Sequence, residues 1–329
     1  MFKVITMQIL SEKTCRHNVC LVTPVIVLAV LGMLPFWINE NSMMIMVQVF
    51  LYMALGQMWN LLGGYAGLVS LGQQMFIGLG GYALAVITEI YHLPLMLGLL
   101  TGGMISVMFA FVISQPIFKM RGVYFSIGTW IAAEALAVYF SNWAYVRSGQ
   151  GFNITVSYDL TTVDMYYIAA AVGVGAVGLV YALLQSKLGL ALMAMRDNES
   201  AAETIGIEIY QTKLKCFLIS AFVTGITGGA LYLSIAYVQP YAAFGIDWTV
   251  AMVFMVIIGG IGTIEGPIAG AVIYVLLKQY LYNYPGISMI ILGIFAIIII
   301  LTAPKGLMGK LHDAWGLEVF STRRWTKHV

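Results

Sequence analysis

Residues 41–88 contain no Asp, Glu, Lys or Arg in 48 consecutive positions, and residues 216–246 and 279–304 repeat this over 31 and 26 positions. A membrane-spanning helix needs roughly 20 consecutive apolar residues, so each run holds one or two spans. Charged residues make up 9% of the 329, against about 25% in a soluble domain. At roughly 30 residues per span and connection, the chain is expected to be an all-α polytopic membrane helical bundle of about ten or eleven helices. No room is left for a soluble catalytic domain. A net charge of +2 speaks against a nucleic-acid partner.

Lys3, Lys13 and Arg16 precede an apolar run from Val19 to Ile38. That is the order of a signal peptide, but the run is too long and no A-x-A-like site follows, so it reads as an uncleaved first span. Cys15, Cys20 and Cys216 form no C-x-x-C, and the four histidines show no H-x-x-x-H spacing. No metal or disulfide role is expected on this pattern.

With charges, Gly and Pro as punctuation, spans fall near 19–38, 43–62, 75–91, 93–118, 121–141, 164–185, 212–237, 247–261, 266–282 and 286–303. Lys and Arg near span ends accumulate on the cytoplasmic side. Ten spans with both termini cytoplasmic place 14 of the 16 basic residues there, leaving only Arg147 and Lys278 elsewhere. Glu40, Glu89, Asp159, Asp164 and Asp247 then lie at or near the outer face. The division is a cytoplasmic segment 1–18, a transmembrane domain 19–303 and a cytoplasmic tail 304–329. An outer loop from about Asn142 to Val163 reads as an ordered surface turn region around Ser148-Gly149-Gln150-Gly151. An inner loop, 186–211, is the one long polar stretch between spans.

Two glycine-rich breaks interrupt the apolar runs. The first is Gly63-Gly64-Tyr65-Ala66-Gly67-Leu68-Val69-Ser70-Leu71-Gly72-Gln73-Gln74, followed by Gly78, Gly80 and Gly81; the second is Gly259-Gly260-Ile261-Gly262-Thr263-Ile264-Glu265-Gly266-Pro267. Backbone that leaves the helix at membrane depth must be buried in protein or line a water-filled cavity, and paired broken segments point to a transport route. Gly63, Gly64, Gly67, Ser70, Gly72, Gln73, Gln74, Gly259, Gly260 and Gly262 are therefore pathway candidates. The competing reading is that such glycines only let helices pack closely, which is favoured for Gly78 and Gly81. Glu134 and Lys278 lie inside spans, where an ionisable side chain is a functional candidate by default. Pairing across the bundle is one expectation for them; snorkelling of Lys278 and local bonding of Glu134 are the other. Tyr124, with Trp59, Tyr65, Phe76 and Trp130, is a candidate for lining an apolar route, against a packing role.

Within the inner loop, Arg196-Asp197-Asn198-Glu199-Ser200-Ala201-Ala202-Glu203-Thr204-Ile205-Gly206-Ile207 reads as a short helix. Asp197 or Asn198 can cap it, Glu199 and Glu203 share a face in its early turns, and Gly206 can end it. It can dock into a groove on a partner or simply rest on lipid headgroups.

These segments resemble the permease subunits of branched-chain amino acid ABC importers, specifically the LivM-like half. The resemblance is carried by Asn60-Leu61-Leu62-Gly63-Gly64-Tyr65-Ala66-Gly67-Leu68-Val69-Ser70-Leu71-Gly72, by Arg121-Gly122-Val123-Tyr124-Phe125-Ser126-Ile127 and by Met195-Arg196-Asp197-Asn198-Glu199 through Gly206. Ile258-Gly259-Gly260-Ile261-Gly262-Thr263 with Gly266-Pro267, and Pro304-Lys305-Gly306-Leu307, complete it. The five blocks keep the family's order over roughly residues 43–310. The resemblance implies a non-catalytic subunit of a bacterial inner membrane. It would pair with a second, related permease, stand on two cytoplasmic ATPases and receive cargo from an extracytoplasmic binding protein. It also implies that Arg196, Asp197, Asn198, Glu199, Ala201, Ala202, Glu203 and Gly206 form the helix that couples to the ATPase. The chain itself has no G-x-x-x-x-G-K-[ST] phosphate loop, and Gly306-Leu307-Met308-Gly309-Lys310-Leu311 has the wrong spacing. No cofactor of its own is expected, and ATP belongs to the partner subunits.

Two departures bear on cargo. The family commonly carries a His after Ser-Leu-Gly, where this chain has Gln73-Gln74, and a Gly-Gly turn where it has Arg147-Ser148-Gly149-Gln150-Gly151. Permeases similar to these serve urea, short amides and aromatic acids as well as leucine, isoleucine and valine, so all remain open. The alternative class is a self-sufficient channel or carrier for a small polar solute, with Glu134 and Lys278 as its coupling groups. An intramembrane enzyme would need a nucleophile with its base, or a metal cluster, and the sequence offers neither.

Overall fold

The computed structural model describes residues 31–281, 285–303 and 306–315. The expected segment 1–18, most of the expected first span, Cys15 and Cys20, and the tail beyond Trp315 lie outside the described residues. The principal helices are α1 (Glu40–Asn60), α2 (Gln74–Ala85), α3 (Leu95–Ile117), α4 (Val123–Asn142), α5 (Thr162–Gln185), α6 (Lys187–Asp197), α7 (Glu199–Thr204) and α8 (Ile209–Ile235). They continue with α9 (Asp247–Gly259), α10 (Glu265–Tyr280), α11 (Pro285–Thr302) and α12 (Gly306–Trp315). The chain is an all-α membrane bundle. From the second span on, helix ends fall within three residues of the charge and glycine punctuation, once the π turn Val86–Ile90 is counted with α2.

Among the described residues, six segments are long and apolar enough to cross a membrane: Glu40–Tyr65, Leu95–Ile117, Val123–Asn142, Thr162–Gln185, Ile209–Ile235 and Pro240–Gly259. Two other expected spans are shorter. Gln74–Ile90 and α10, of 17 and 16 residues, rise about 25 Å, less than the roughly 30 Å hydrocarbon core. Each begins directly after one of the two breaks, which use up residues that a full span would have kept helical.

Burial divides the helices. The apolar windows of α1 and α8 are 78% and 72% buried, whereas those of α3, α4 and α5 are about one-third buried or less. A helix that is apolar all round and enclosed is the centre of its bundle. Accordingly α1 packs along α5 and α10, α8 packs along α2 and α3, and α1 and α8 touch each other. Close approach at this centre depends on glycine: a Cβ on Gly80 would sit 1.9 Å from the Gly225 carbonyl oxygen, and one on Gly228 would sit 2.4 Å from that of Ile77.

The long loop between α4 and α5 is ordered, as its turn residues suggest, and carries a strand the sequence did not announce. β1 (Phe152–Asn153) pairs antiparallel with β2 (Tyr237–Val238) after α8. Arg147 lies over the Phe152 ring, 5.0 Å from its centroid. Tyr237 Oη donates to the Gln150 carbonyl at 2.5 Å. Glu89, at the end of α2's last π turn, accepts from Thr155 N at 2.6 Å and from Thr155 Oγ1. Tyr145 Oη donates to Tyr91 Oη at 3.2 Å, which holds the Tyr145 hydroxyl above the ordinary tyrosine pKa.

Candidate functional site

Both expected breaks are real departures from helix, and they meet. α1 runs past Asn60 into a π turn, Leu61–Tyr65, after which residues 66–73 carry no regular helix before α2 begins. The second break separates α9 from α10, with Gly260 at φ +131° and Gly262 at φ +75°. Unwound backbone between apolar helices needs partners for its N–H and C=O groups, and α1 supplies them. Gln57 and Asn60 are three residues apart and share a helix face. Gln57 Nε2 donates to the Ile264 carbonyl at 2.6 Å, and Asn60 Nδ2 to the Thr263 carbonyl at 2.8 Å. Asn60 Oδ1 accepts from Gly262 N at 2.8 Å. Thr263 Oγ1 closes the turn locally, donating to the Gly260 carbonyl at 2.8 Å and accepting from Gly266 N at 3.1 Å.

The first break is held from other sides. Trp59 Nε1 donates to the Ser70 carbonyl at 2.9 Å, Ser126 Oγ to the Val69 carbonyl at 2.5 Å, and Thr129 Oγ1 accepts from Leu71 N at 3.1 Å. Where α2 starts, Gln73 Nε2 reaches Ser220 Oγ on α8 at 2.8 Å and the Met58 carbonyl at 3.3 Å, and the hydroxyl of Thr249 on α9 donates to Gln74 Oε1. Ser70, Gln73 and Gln74 are fully buried. The two glutamines thus bind neighbouring helices of the same chain. Gly63, Gly64, Gly72, Gly259 and Gly260 are also buried, Gly262 is half-buried and Gly67 is exposed. At Gly64 the approach is closest in kind to a joint: a Cβ there would sit 2.1 Å from Asn60 Oδ1 and 2.8 Å from Gly262 N. Of the motif after the last span, Gly306 sits against the second break, where a Cβ would meet Gly260 Cα at 2.4 Å.

The inner-loop element is a corner of two helices. Arg196 and Asp197 end α6 instead of opening the short helix. Asn198 is the cap, its Oδ1 accepting from Ala201 N at 3.1 Å, and Glu199, Ala201, Ala202 and Glu203 lie within α7. The helix ends through Gly206 at φ +89°, with Ile207 N donating to the Ala202 carbonyl at 3.1 Å. Ala202 is buried, while Ala201, Glu203, Ile205 and Gly206 are exposed. Ile205, expected to pack, is 74% exposed. Two side chains bind the corner to the bundle. Glu199 pairs with Lys213 of α8 at 2.5 Å, and Arg196 Nη1 donates to the Gly64 carbonyl at 2.7 Å.

Two candidates stand apart. Tyr124 is 74% exposed on α4, and Glu134 is exposed on the same helix, accepting from Trp130 Nε1 one turn away at 3.1 Å. The expected cross-bundle pairing of Glu134 with Lys278 is not what forms. Lys278 Nζ donates to Tyr52 Oη at 2.8 Å, a partner within reach on the adjoining α1. Residues that sequence reasoning did not single out include Gln57, Thr129, Ser220 and Thr249; Asn60 and Ser126 entered only as parts of motifs, and Lys213 only among the basic residues placed in the cytoplasm. A signal existed for Gln57 and Asn60: two amides three residues apart in an otherwise apolar run, just ahead of a glycine pair. Among the described residues no group of three His, Cys, Asp or Glu side chains could hold a metal ion.

A family model described as the branched-chain amino acid transport system permease component matches residues 41–303. The match spans both breaks, α4 and the α6–α7 corner. The high-affinity branched-chain amino acid transport system permease protein LivM of Salmonella typhimurium is 25% identical over 304 residues, covering 83% of this chain and 71% of that protein. LivM of Escherichia coli is 24% identical with the same coverage. The probable permease protein LivH of Methanocaldococcus jannaschii is 30% identical over 143 residues, covering 40% of this chain and 44% of that protein. No solved structure matches the chain.

Proposed function

The chain belongs to the permease-component family of branched-chain amino acid transport systems, and we propose from this that it is the transmembrane subunit of an ATP-driven importer for branched-chain or other hydrophobic amino acids. It forms half of the translocation route with a second, related permease. Two cytoplasmic ATPases supply the hydrolysis, and an extracytoplasmic binding protein delivers cargo. The chain sits in the bacterial inner membrane with ten spans and both termini in the cytoplasm, which gathers 14 of the 16 basic residues on that side. The α6–α7 corner then faces the ATPases, and its exposed Ala201, Glu203, Ile205 and Gly206 form the docking face.

The observation that carries this reading is the likeness to two LivM permeases over 83% of the chain. The match to a protein named LivH as well as to LivM supports a related partner permease. In mechanism, cargo released at the outer face enters between the two permeases, and ATP-driven movement at the corner exchanges outward for inward access. A self-sufficient carrier is disfavoured because Glu134 and Lys278, its would-be coupling groups, each bind a nearby side chain of this same chain.

The test is uptake into proteoliposomes of the chain reconstituted with its partner permease, ATPases and binding protein. Leucine, isoleucine or valine should accumulate only when ATP is supplied on the ATPase side. Accumulation by this chain alone, without ATP, would replace the importer reading with the carrier.

A further inference from the structure

We propose that Arg196 is a positioning residue that ties the α6–α7 corner to both helix breaks at once, so that a displacement of the corner reaches the backbone at Gly64 and Gly262 directly. The inference rests on reading the corner as the element that meets the ATPase, and adds the route by which its motion enters the membrane.

Arg196 stands in the last turn of α6, and its guanidinium reaches back to the point where the two breaks touch. Nη1 donates to the Gly64 carbonyl at 2.7 Å, near the end of the π turn, where carbonyls run out of helical partners. A Cβ on Gly262 would lie 3.2 Å from that same nitrogen and 3.5 Å from the Gly64 carbonyl oxygen. The stem of the arginine lies over Gly67, where a Cβ would sit 3.2 Å from Arg196 Cγ. Gly67 and Gly262 both have positive φ, +71° and +75°. Three glycines from two breaks about 200 residues apart therefore surround one side chain.

The chemistry suits a permanent link. The planar fork of a guanidinium is pre-organised, so little freedom is lost per bond formed. Three residues on, Glu199 holds Lys213 of α8. The corner is thus anchored at two separate places, one on the joined breaks and one on a central helix. Because the breaks are fastened to each other by Asn60, pulling or releasing Gly64 moves Gly262 with it. Closely packed backbone of this kind shifts between discrete arrangements in preference to deforming smoothly.

The experiment uses the full reconstituted complex, with spin labels at Val69→Cys and Ser200→Cys in a chain whose other cysteines are replaced. Val69 and Ser200 are both exposed, and Ser200 lies in α7 outside the docking face. In the otherwise unaltered chain the distance between the labels should stay single and unchanged when a non-hydrolysable ATP analogue is added. In Arg196→Ala it should broaden or shift with nucleotide, and cargo taken up per ATP should fall about tenfold while ATP hydrolysis by the assembled complex persists; the thermal midpoint should fall modestly, because the buried Gly64 carbonyl loses its partner. Gly262→Ala should reduce coupling in the unaltered background and add little to Arg196→Ala, a non-additivity that marks direct contact. Arg196→Lys, which keeps the charge but loses the fork, should fall between, and it answers in place of Arg196→Ala should that variant not assemble. Unchanged label distances with unchanged uptake per ATP in the arginine variants, or fully additive effects with Gly262→Ala, would overturn the proposal while leaving the importer intact. Uptake independent of ATP in the unaltered complex would instead overturn the importer reading and this link with it.

Discussion

Asn60 and Gly262 are 202 residues apart in sequence, and the Asn60 side chain accepts from the Gly262 amide at 2.8 Å while its own amide nitrogen donates to the next residue's carbonyl at 2.8 Å. One side chain on the central helix thereby replaces the ladder that the second break gives up. Removing it leaves a backbone donor and acceptor without their partner in an apolar setting, at about 1–3 kcal/mol for each group stranded. Asn60→Ala should lower the thermal midpoint of the detergent-purified chain clearly. Asn60→Asp, which keeps the acceptor for Gly262 but loses the donor to Thr263, should lose part of that. Equal midpoints for Asn60→Ala and the unaltered chain would show that the clasp adds nothing.

Gly72 separates a packing role from an ornamental one. A Cβ there would lie 2.0 Å from the Thr129 carbonyl oxygen, backbone that cannot swing aside, whereas at Gly175 in α5 nothing lies within 4 Å. Gly72→Ala should cost about 1–3 kcal/mol by overpacking and abolish uptake. Gly175→Ala should leave uptake intact and stability level or slightly raised, since Gly is the weaker helix former by about 1 kcal/mol. Thermal unfolding and uptake measured on the two variants together check this, and similar behaviour of both would contradict the assigned contacts.

The Glu199–Lys213 pair predicts a joint loss of stability and coupling. The Glu199 carboxylate is 43% exposed, but the Lys213 side chain it holds is only 9% exposed, so removing the carboxylate leaves a largely buried ammonium without its counter-charge. Glu199→Gln, which keeps one acceptor oxygen, should therefore lower the thermal midpoint measurably. It also frees α7 from α8, so ATP hydrolysis by the complex should persist while uptake per ATP drops. Gly206→Val adds strain of about 1–2 kcal/mol at φ +89° and should uncouple in the same direction. Normal uptake per ATP in both variants would remove the corner from the coupling mechanism.

How much of this was legible beforehand follows from the range over which each signal acts. Helix ends showed because a lipid-facing run excludes charge and glycine interrupts it, both local facts. The breaks showed for the same reason. That Asn60 should meet Thr263, or Arg196 reach Gly64, has no local signature: each joins elements that only the packing of α1 against α10, or of α6 against the π turn, brings together. Asp197 and Asn198 are both good caps, so from sequence alone the stretch beginning at Arg196 reads as one short helix. The structure ends α6 at Asp197 and gives the cap to Asn198. Gln73 and Gln74 drew notice as polar residues in an apolar run, and their partners proved to be Ser220 and Thr249. Each amide is bonded through one atom only, while Gln73 Oε1 and Gln74 Nε2 are buried without a hydrogen-bond partner, and nothing in the sequence separates the bonded half from the other.

Glu134 gives the sharpest test of where the route runs. Its carboxylate sits on the exposed face of α4 among Ile127, Trp130, Ile131 and Val138, which are also exposed, and accepts one bond from Trp130. A carboxylate left facing hydrocarbon costs about 2.5–3.5 kcal/mol on insertion scales, a cost that disappears when the face lines a water-filled passage beside a second permease. Glu134→Gln should then leave the stability of the isolated chain within about 0.5 kcal/mol of the unaltered value but reduce uptake by the complex. A charged thiol reagent should modify the Glu134→Cys variant in the assembled complex, and cargo delivered by the binding protein should slow that reaction. A Glu134→Cys thiol inert to the reagent, together with full uptake in Glu134→Gln, would place this face against lipid and move the route away from α4.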